Sequence, residues 1–463
     1  MGVMLVFSFD SEDYETPAAD DAEKWWADAM RRHGFRASVQ VVGELARTLR
    51  DRGKRDVIAS MAGHEIGFHS NMHSAHPTWA EYLDGMGWDE GVAEVMRREA
   101  KGISDVEEIF GQHPSSWCKP GNSWGPQVAY AMKAMGVPVF ADSPFELAPG
   151  EPLWYAGSLF LTYHIAFDGY FAVPHDERPE KMKEDFLALC ERHDGKYLTM
   201  YTHPCRLFTK DFTDTFRWGM NPPRSEWRPA PLRSREEIAQ LQRDFEDFLG
   251  FVSGLKDVEP VTMGELYELY RPSSPWLGPE ELRELARDVG ERLDYISVGG
   301  EYLSPAEIFG VVVWALARMG GGSLPEHIPV RGLLGPKELS PSDVPSGTTS
   351  SEVVLEACRE VDRTCTEEGA VPSEVKLGTG KVGPNSFLQA ALQVLRKVLK
   401  DGPPSEVRVK PVPELPAISE HPAFRNYRFR DTWSIFPEEF EGRNVLDTVR
   451  LQTWSVKPAV LKG

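Results

Sequence analysis

From residue 1 to about residue 271, short apolar runs rich in β-branched residues alternate with longer amphipathic stretches. This pattern predicts an α/β architecture with a largely parallel sheet or barrel. Strands are expected over residues 3–10, 37–42, 65–68, 116–119, 137–141, 197–202 and 258–262. Helices are expected over 20–34, 57–63, 91–111, 125–136 and 234–255, several ending at a glycine suited to a C-terminal cap. About seven strand–helix units imply an incomplete (β/α) barrel. In such a barrel chemistry sits where strands end and loops begin, so polar residues at those edges are the candidates.

The pattern changes after RPSSPWLG at 271–278, whose Pro and Ser content marks a domain boundary. ISVGGEYLSPAEIFGVVVWAL from Ile296 aligns without gaps with VKLGTGKVGPNSFLQAALQVL from Val375, so that Pro305 matches Pro384, 79 residues on. We read a duplicated, mainly helical module over 273–419, with copies at about 278–337 and 352–416. In each copy a Gly-containing turn precedes a helix begun by proline. Residues 339–351 between the copies have linker composition. The tail, 420–463, carries Phe424, Tyr427, Phe429, Trp433, Phe436 and Trp454, too many aromatics for a free end, and is expected to pack on the rest.

Charge narrows the partners. Lys and Arg number 51 against 71 Asp and Glu, a formal charge of −20 that repels polyanions and argues against nucleic acid. The most apolar later stretch, 308–316, is far shorter than the roughly 20 residues that span a bilayer. Five scattered cysteines without paired spacing and an N-terminus lacking a basic, apolar leader point to the cytoplasm.

Four stretches place chemically capable side chains at predicted strand ends. FSFDSED puts Asp10, Glu12 and Asp13 together, and such crowding of carboxylates calls for a cation, a proton or solvent to relieve it. GHEIGFHSNMH holds His69 and His73 four residues apart, a spacing at which two imidazoles reach one cation and a carboxylate from another strand completes a triad with open positions for water. WCKPGNSW contains a sharp turn that aims the backbone N–H of Gly121 at a developing oxyanion. YTHP places His203 directly after a strand as a general acid.

FDSED, HSNMH, WCKPGNSW, ADSPF and YTHP, in that order, resemble the five motifs of the polysaccharide deacetylase (NodB homology) superfamily, and the likeness runs over residues 3–269, with PVTMGEL similar to the closing strand. It implies a distorted (β/α) barrel and metal-dependent hydrolysis of an acetyl or similar acyl amide on an N-acylated sugar or glycan. It assigns Asp10 as general base, His69 and His73 as ligands of a divalent metal, and His203 as general acid. Zinc is the first choice of ion, with cobalt or nickel as substitutes. The aspartate that usually follows the base is Ser11 here, so the carboxylate ligand falls to Glu12 or Asp13. The arginine that usually orients the base is replaced by Cys118, with Lys119 beside it. Two alternatives follow from these departures: a metal-independent amide or cyclic-imide hydrolase on the same barrel, and an inactive glycan-binding protein. Trp117, Trp124 and Tyr201 are candidates for a sugar-binding cleft, and Cys118 and Cys205 read as structural thiols. EEGAVPSEVKLGTGKVGPNSFLQAALQVL resembles pseudomurein-binding repeats, and the C-terminal domain is a candidate for homo-oligomer formation.

Overall fold

A run of seven buried residues carries the first strand, β1 (Val3–Ser11), to the centre of the sheet. The computed structural model describes residues 2–214, 219–220, 222–272, 276–319, 323–339, 346–430 and 433–462. Parts of the expected boundary stretch (273–275) and of the expected linker (340–345) lie outside the described residues. Two units are distinguished: Met1–Pro152 with Ser158–Leu269 and Arg428–Gly442, and Leu153–Gly157 with Tyr270–Tyr427 and Arg443–Gly463.

In the first unit β1 is followed by β2 (Ser38–Val41), β3 (Glu65–Phe68), β4 (Ser116–Trp117), β5 (Val139–Phe140), β6 (Ser158–Phe160), β7 (Ile165–Ala166), β8 (Tyr197–Thr202) and β9 (Val258–Pro260). They lie side by side in the order β6-β5-β4-β3-β2-β1-β8-β7, with β9 also on β1, and the pairings are parallel. Every strand of the sequence reading is present; β6 and β7 are additional. They belong to one extended segment that serves both edges. The Leu161 N–H donates to Phe140 O at 2.8 Å, and three residues later the His164 N–H donates to Thr199 O at 3.0 Å. Residues 158–166 thereby bridge β5 to β8.

The period of two along β1 sorts its side chains. Phe7 and Phe9 face the helical layer, 5.0 Å from the Phe35 ring and 5.5 Å from Trp26 on the helix Ala19–Arg32. Ser8 and Asp10 face the other way and share the hydroxyl of Tyr163. Lateral register aligns the strand ends: Ser11 lies beside Val41, Val41 beside Phe68, Phe68 beside Trp117, and Phe9 beside Thr202. The residues that follow, His69, Cys118 and His203, therefore emerge along one edge.

In the second unit the two segments aligned in the sequence carry elements in the same order. Trp276–Leu277, the helix Pro279–Asp288, the hairpin of Ile296–Val298 with Glu301–Leu303, the helix Pro305–Ala317 and Ile328–Pro329 make the first. Gly347–Thr349, Ser351–Glu368, the hairpin of Val375–Leu377 with Gly380–Val382, Pro384–Val398 and Val407–Val409 make the second. The outer strands of each copy pair antiparallel, Leu277 with Ile328 and Thr349 with Val407. The apolar stretch at 308–316 lies in the helix Pro305–Ala317, which is apolar nearly all round because it sits inside the core with Phe387, Leu388 and Trp454. Among the described residues no helix is long and apolar enough to cross a membrane.

Candidate active site

A cavity of about 210 Å³ opens at the C-terminal edge of the parallel strands, and Asp10, Glu12, His69, His73, Gly121 and His203 all line it. Glu12 continues the inward parity of Ser8 and Asp10. Its Oε2 lies 2.9 Å from His73 Nε2 and 3.4 Å from His69 Nε2. Donor atoms of these three residues lie within 4.8 Å of one another, a group able to hold a metal ion.

Ser11 and Asp13 have the opposite parity. The Ser11 hydroxyl donates to Glu23 Oε2 on the helix Ala19–Arg32 at 2.6 Å. Asp13 Oδ1 accepts the N–H groups of Glu15 and Thr16 at 3.1 and 2.8 Å, so this carboxylate closes a turn and does not join Glu12. Burial raises Asp13 to about 6 despite those bonds, and burial raises Glu23, with Asp20 and Asp13 nearby, to about 8.

Both imidazoles are held by their other ring nitrogen. His73 Nδ1 lies 3.0 Å from Asp214 Oδ2, and the Ser74 hydroxyl donates to the same oxygen. His73 itself sits at a φ of +51°, a conformation uncommon for a residue with a side chain, and its N–H donates to Ser70 Oγ at 2.9 Å. His69 Nδ1 faces the Cys118 carbonyl at 3.3 Å and Cys118 Sγ at 2.7 Å. These contacts leave both Nε2 atoms turned toward Glu12, the arrangement outer partners impose on histidine ligands. Burial opposes charge on His73, but the Glu12 carboxylate and Asp214 outweigh it and raise the imidazole to about 9. For Glu12 burial is likewise outweighed, by the charges of His73 and His203, and its carboxyl is held well below the ordinary range.

Asp10 accepts from Tyr163 Oη at 2.8 Å, with Cys118 Sγ 3.6 Å from the same oxygen. Burial, with Asp10 nearby, pushes both the Tyr163 phenol and the Cys118 thiol well above their usual values, so both stay protonated donors. Lys119 turns to Asp142, bonding its carboxylate and its carbonyl. Thus neither Lys119 nor Cys118 gives Asp10 a cationic partner. His203 Nε2 stands 3.9 Å from both Asp10 and Glu12, and its Nδ1 is bonded to Asp168. Burial disfavours the imidazolium, yet Asp168 and Glu12 raise His203 to about 10.

Of the aromatic candidates, Tyr201 lines the cavity, whereas Trp117 and Trp124 are fully buried in the core; Trp117 stacks on Phe140 at 4.0 Å. The sequence reading missed Tyr163, Asp168, Asp214, Phe212 and the tail residue Trp433, and the last two also line the cavity.

No family model and no curated protein matches the chain. Solved structures that align with it include a protein assigned as a polysaccharide deacetylase from Mycobacterium smegmatis (17% identity, 58% of this chain and 90% of that chain, TM-score 0.37). Another so assigned, from Pseudomonas aeruginosa PAO1, aligns at 16% identity over 59% of this chain and 93% of that chain, TM-score 0.39. An allantoinase aligns at 16% identity over 59% of this chain and 92% of that chain, TM-score 0.38. At such identities and scores the reading of the site rests on the chain's own residues.

Proposed function

We propose that the chain is a metal-dependent hydrolase that removes an acetyl or similar acyl group from an N-acylated sugar or glycan. The observation that carries this reading is the meeting of Glu12, His69 and His73 beside Asp10 and His203 in one cavity, with His203 bonded from behind to Asp168. One carboxylate and two imidazoles whose outer nitrogens are already engaged form a donor set that suits zinc. Asp13 is left out of that set by its turn.

Glu12, His69 and His73 would hold a divalent ion, whose chemistry there would be to lower the pKa of a water and to polarise the acyl carbonyl. Asp10, steadied by Tyr163 and Cys118, takes up the proton of the attacking water. Gly121, on the cavity wall, offers its N–H to the oxygen that gains charge. His203, kept protonated by Asp168, passes a proton to the departing amine from Nε2. The amine then leaves as a neutral group, and the acid product retains the added oxygen.

Elemental analysis tests the ligand set. About one zinc, cobalt or nickel per chain is expected in the wild type and in Asp13→Asn, and none in Glu12→Gln or His73→Ala, with acetate release from N-acetylglucosamine lost in the same two variants. Equal metal in all four proteins overturns the ligand set. Hydrolysis of an amide or imide without any metal favours the metal-independent alternative.

A further inference from the structure

Asp10, His69 and Cys118 form a second group of donor atoms that lie within 4.8 Å of one another, all of them buried. Asp10 stands near the end of β1, while His69 and Cys118 directly follow β3 and β4, whose last residues Phe68 and Trp117 are side by side. Cys118 Sγ is 2.7 Å from His69 Nδ1 and 3.6 Å from Asp10 Oδ1. The group thus meets His69 on the nitrogen opposite to Nε2, which faces Glu12 at 3.4 Å. One imidazole stands between two sets of donors, and only the second contains sulfur.

Ligand lengths of about 2.3 Å to sulfur and about 2.0–2.2 Å to nitrogen or oxygen place tetrahedral donors roughly 3.5 Å apart. The sulfur–carboxylate pair already has that separation, and the sulfur–nitrogen pair has to open by somewhat under about 1 Å. A thiolate selects soft ions. Charge acts in the same direction. Lys119 is bonded to Asp142, but His203 stands 3.9 Å from Asp10 and its imidazolium opposes a cation there, so an ion in this group is held by its bond to sulfur more than by the field. Asp10 and His69 line the cavity, and the buried Cys118 touches both, so the way in is through the cavity.

We infer that Asp10, His69 Nδ1 and Cys118 form a soft-metal site whose occupation shuts down the centre described above. Binding releases one proton: the Cys118 S–H bond breaks, H⁺ leaves to solvent and the sulfur bonds the ion, while Asp10 and His69 contribute lone pairs. A neutral imidazole has one nitrogen lone pair to offer, so a ring bound through Nδ1 carries its proton on Nε2 and leaves the Glu12 set. Asp10 is lost as a base in the same event. The two sites therefore exclude each other. The soft-metal site stands apart from the deacylase reading, and only the expected loss of turnover rests on that reading.

Cadmium is the probe, because a thiolate bonded to it gives an ultraviolet charge-transfer band that carboxylate and imidazole ligands do not. The full-length protein carries Cys190→Ser, which removes the one cysteine that is not buried among the described residues. Cadmium added to the zinc-loaded protein is expected to produce the band, to expel zinc, and to lower acetate release from N-acetylglucosamine at least about tenfold, as loss of the base requires. His73→Ala, deprived of the first set, is expected to keep the band. Cys118→Ser is expected to lose it, with Cys118→Ala in reserve should the serine variant fold poorly. No band in the parent protein, a band that persists without Cys118, or none in His73→Ala overturns the site. A band beside fully retained zinc overturns the mutual exclusion. The band with the expected dependences in a protein that releases no acetate under zinc supports the site and overturns the deacylase reading alone.

Discussion

Asp168 decides the charge of His203. Its carboxylate lies against Nδ1, and removing that negative neighbour removes the largest influence favouring the imidazolium while leaving the burial that opposes it. In Asp168→Asn the pKa of His203 is therefore expected to fall from about 10. The alkaline limb of the pH–rate profile should move to lower pH, and kcat near pH 8 should drop on the order of a hundredfold, in line with the usual worth of a general acid. An unmoved limb between pH 6 and 10 would show that His203 is not the acid. Residues of this kind differ in how readable they are. Phe-Ser-Phe-Asp-Ser-Glu alternates, but the sequence leaves Glu12 and Asp13 as equal candidates because the strand ends at Ser11 and the turn that takes up Asp13 Oδ1 appears only in the fold. Asp168 and Tyr163 lie in LTYHIAFDG, where β7 is two residues long and no alternation announces it. Asp214 comes from a loop, and only the folded chain brings it to His73.

At the scale of elements, the duplicated unit caps its two main helices differently. In the first copy Ser304 and Glu307 form a reciprocal cap at the start of the helix Pro305–Ala317. Seventy-nine residues on, the same places hold Gly383 and Ser386, and the carboxylate comes from Glu414 instead. It accepts the Asn385 N–H at 2.7 Å and the Ser386 hydroxyl at 2.6 Å, and it fills the space a Cβ on Gly383 would need, 2.2 Å from the Glu414 Cδ. Burial raises the Glu414 carboxyl against the pull of those bonds. Glu414→Ala is expected to cost about 1–2 kcal/mol, the worth of a lost cap, and Gly383→Ala at least as much because the carboxylate must move away. Thermal denaturation reads both, and an unchanged Tm for Glu414→Ala would mean that solvent replaces the cap. The repeat reading rests on proline, glycine and apolar positions that all recur at one offset. The short outer strands, two or three residues each, carry too few positions for a pattern, and their pairing emerges only once the helices are packed.

At the scale of the whole molecule, the chain leaves the first unit after Leu269 and re-enters it at Arg428–Gly442. The aromatic content of the tail signalled packing, but nothing in its spacing could say that Trp433 belongs with His203, because that neighbourhood is created by the path of the chain. A protein ending at Pro272 keeps Glu12, His69 and His73 but lacks the acceptors for Asn122 and the Trp433 ring that lines the cavity. We expect it to retain zinc, to bind N-acetylglucosamine at least about tenfold more weakly than the full chain, and to melt several degrees below it. Undiminished sugar affinity would show that the returning segment is not part of the site.

That returning segment also orders events during synthesis. The residues proposed to hold the metal and to move protons all lie before position 204, so they emerge from the ribosome early, while Trp433 and Ile435 follow only after Tyr270–Tyr427 has been translated. Throughout that interval the nascent barrel presents the Gly121 turn and Phe212 uncovered. A message truncated between residues 270 and 427 would yield a chain that has those groups and the strands that carry them but lacks the segment bound to the Gly121 turn.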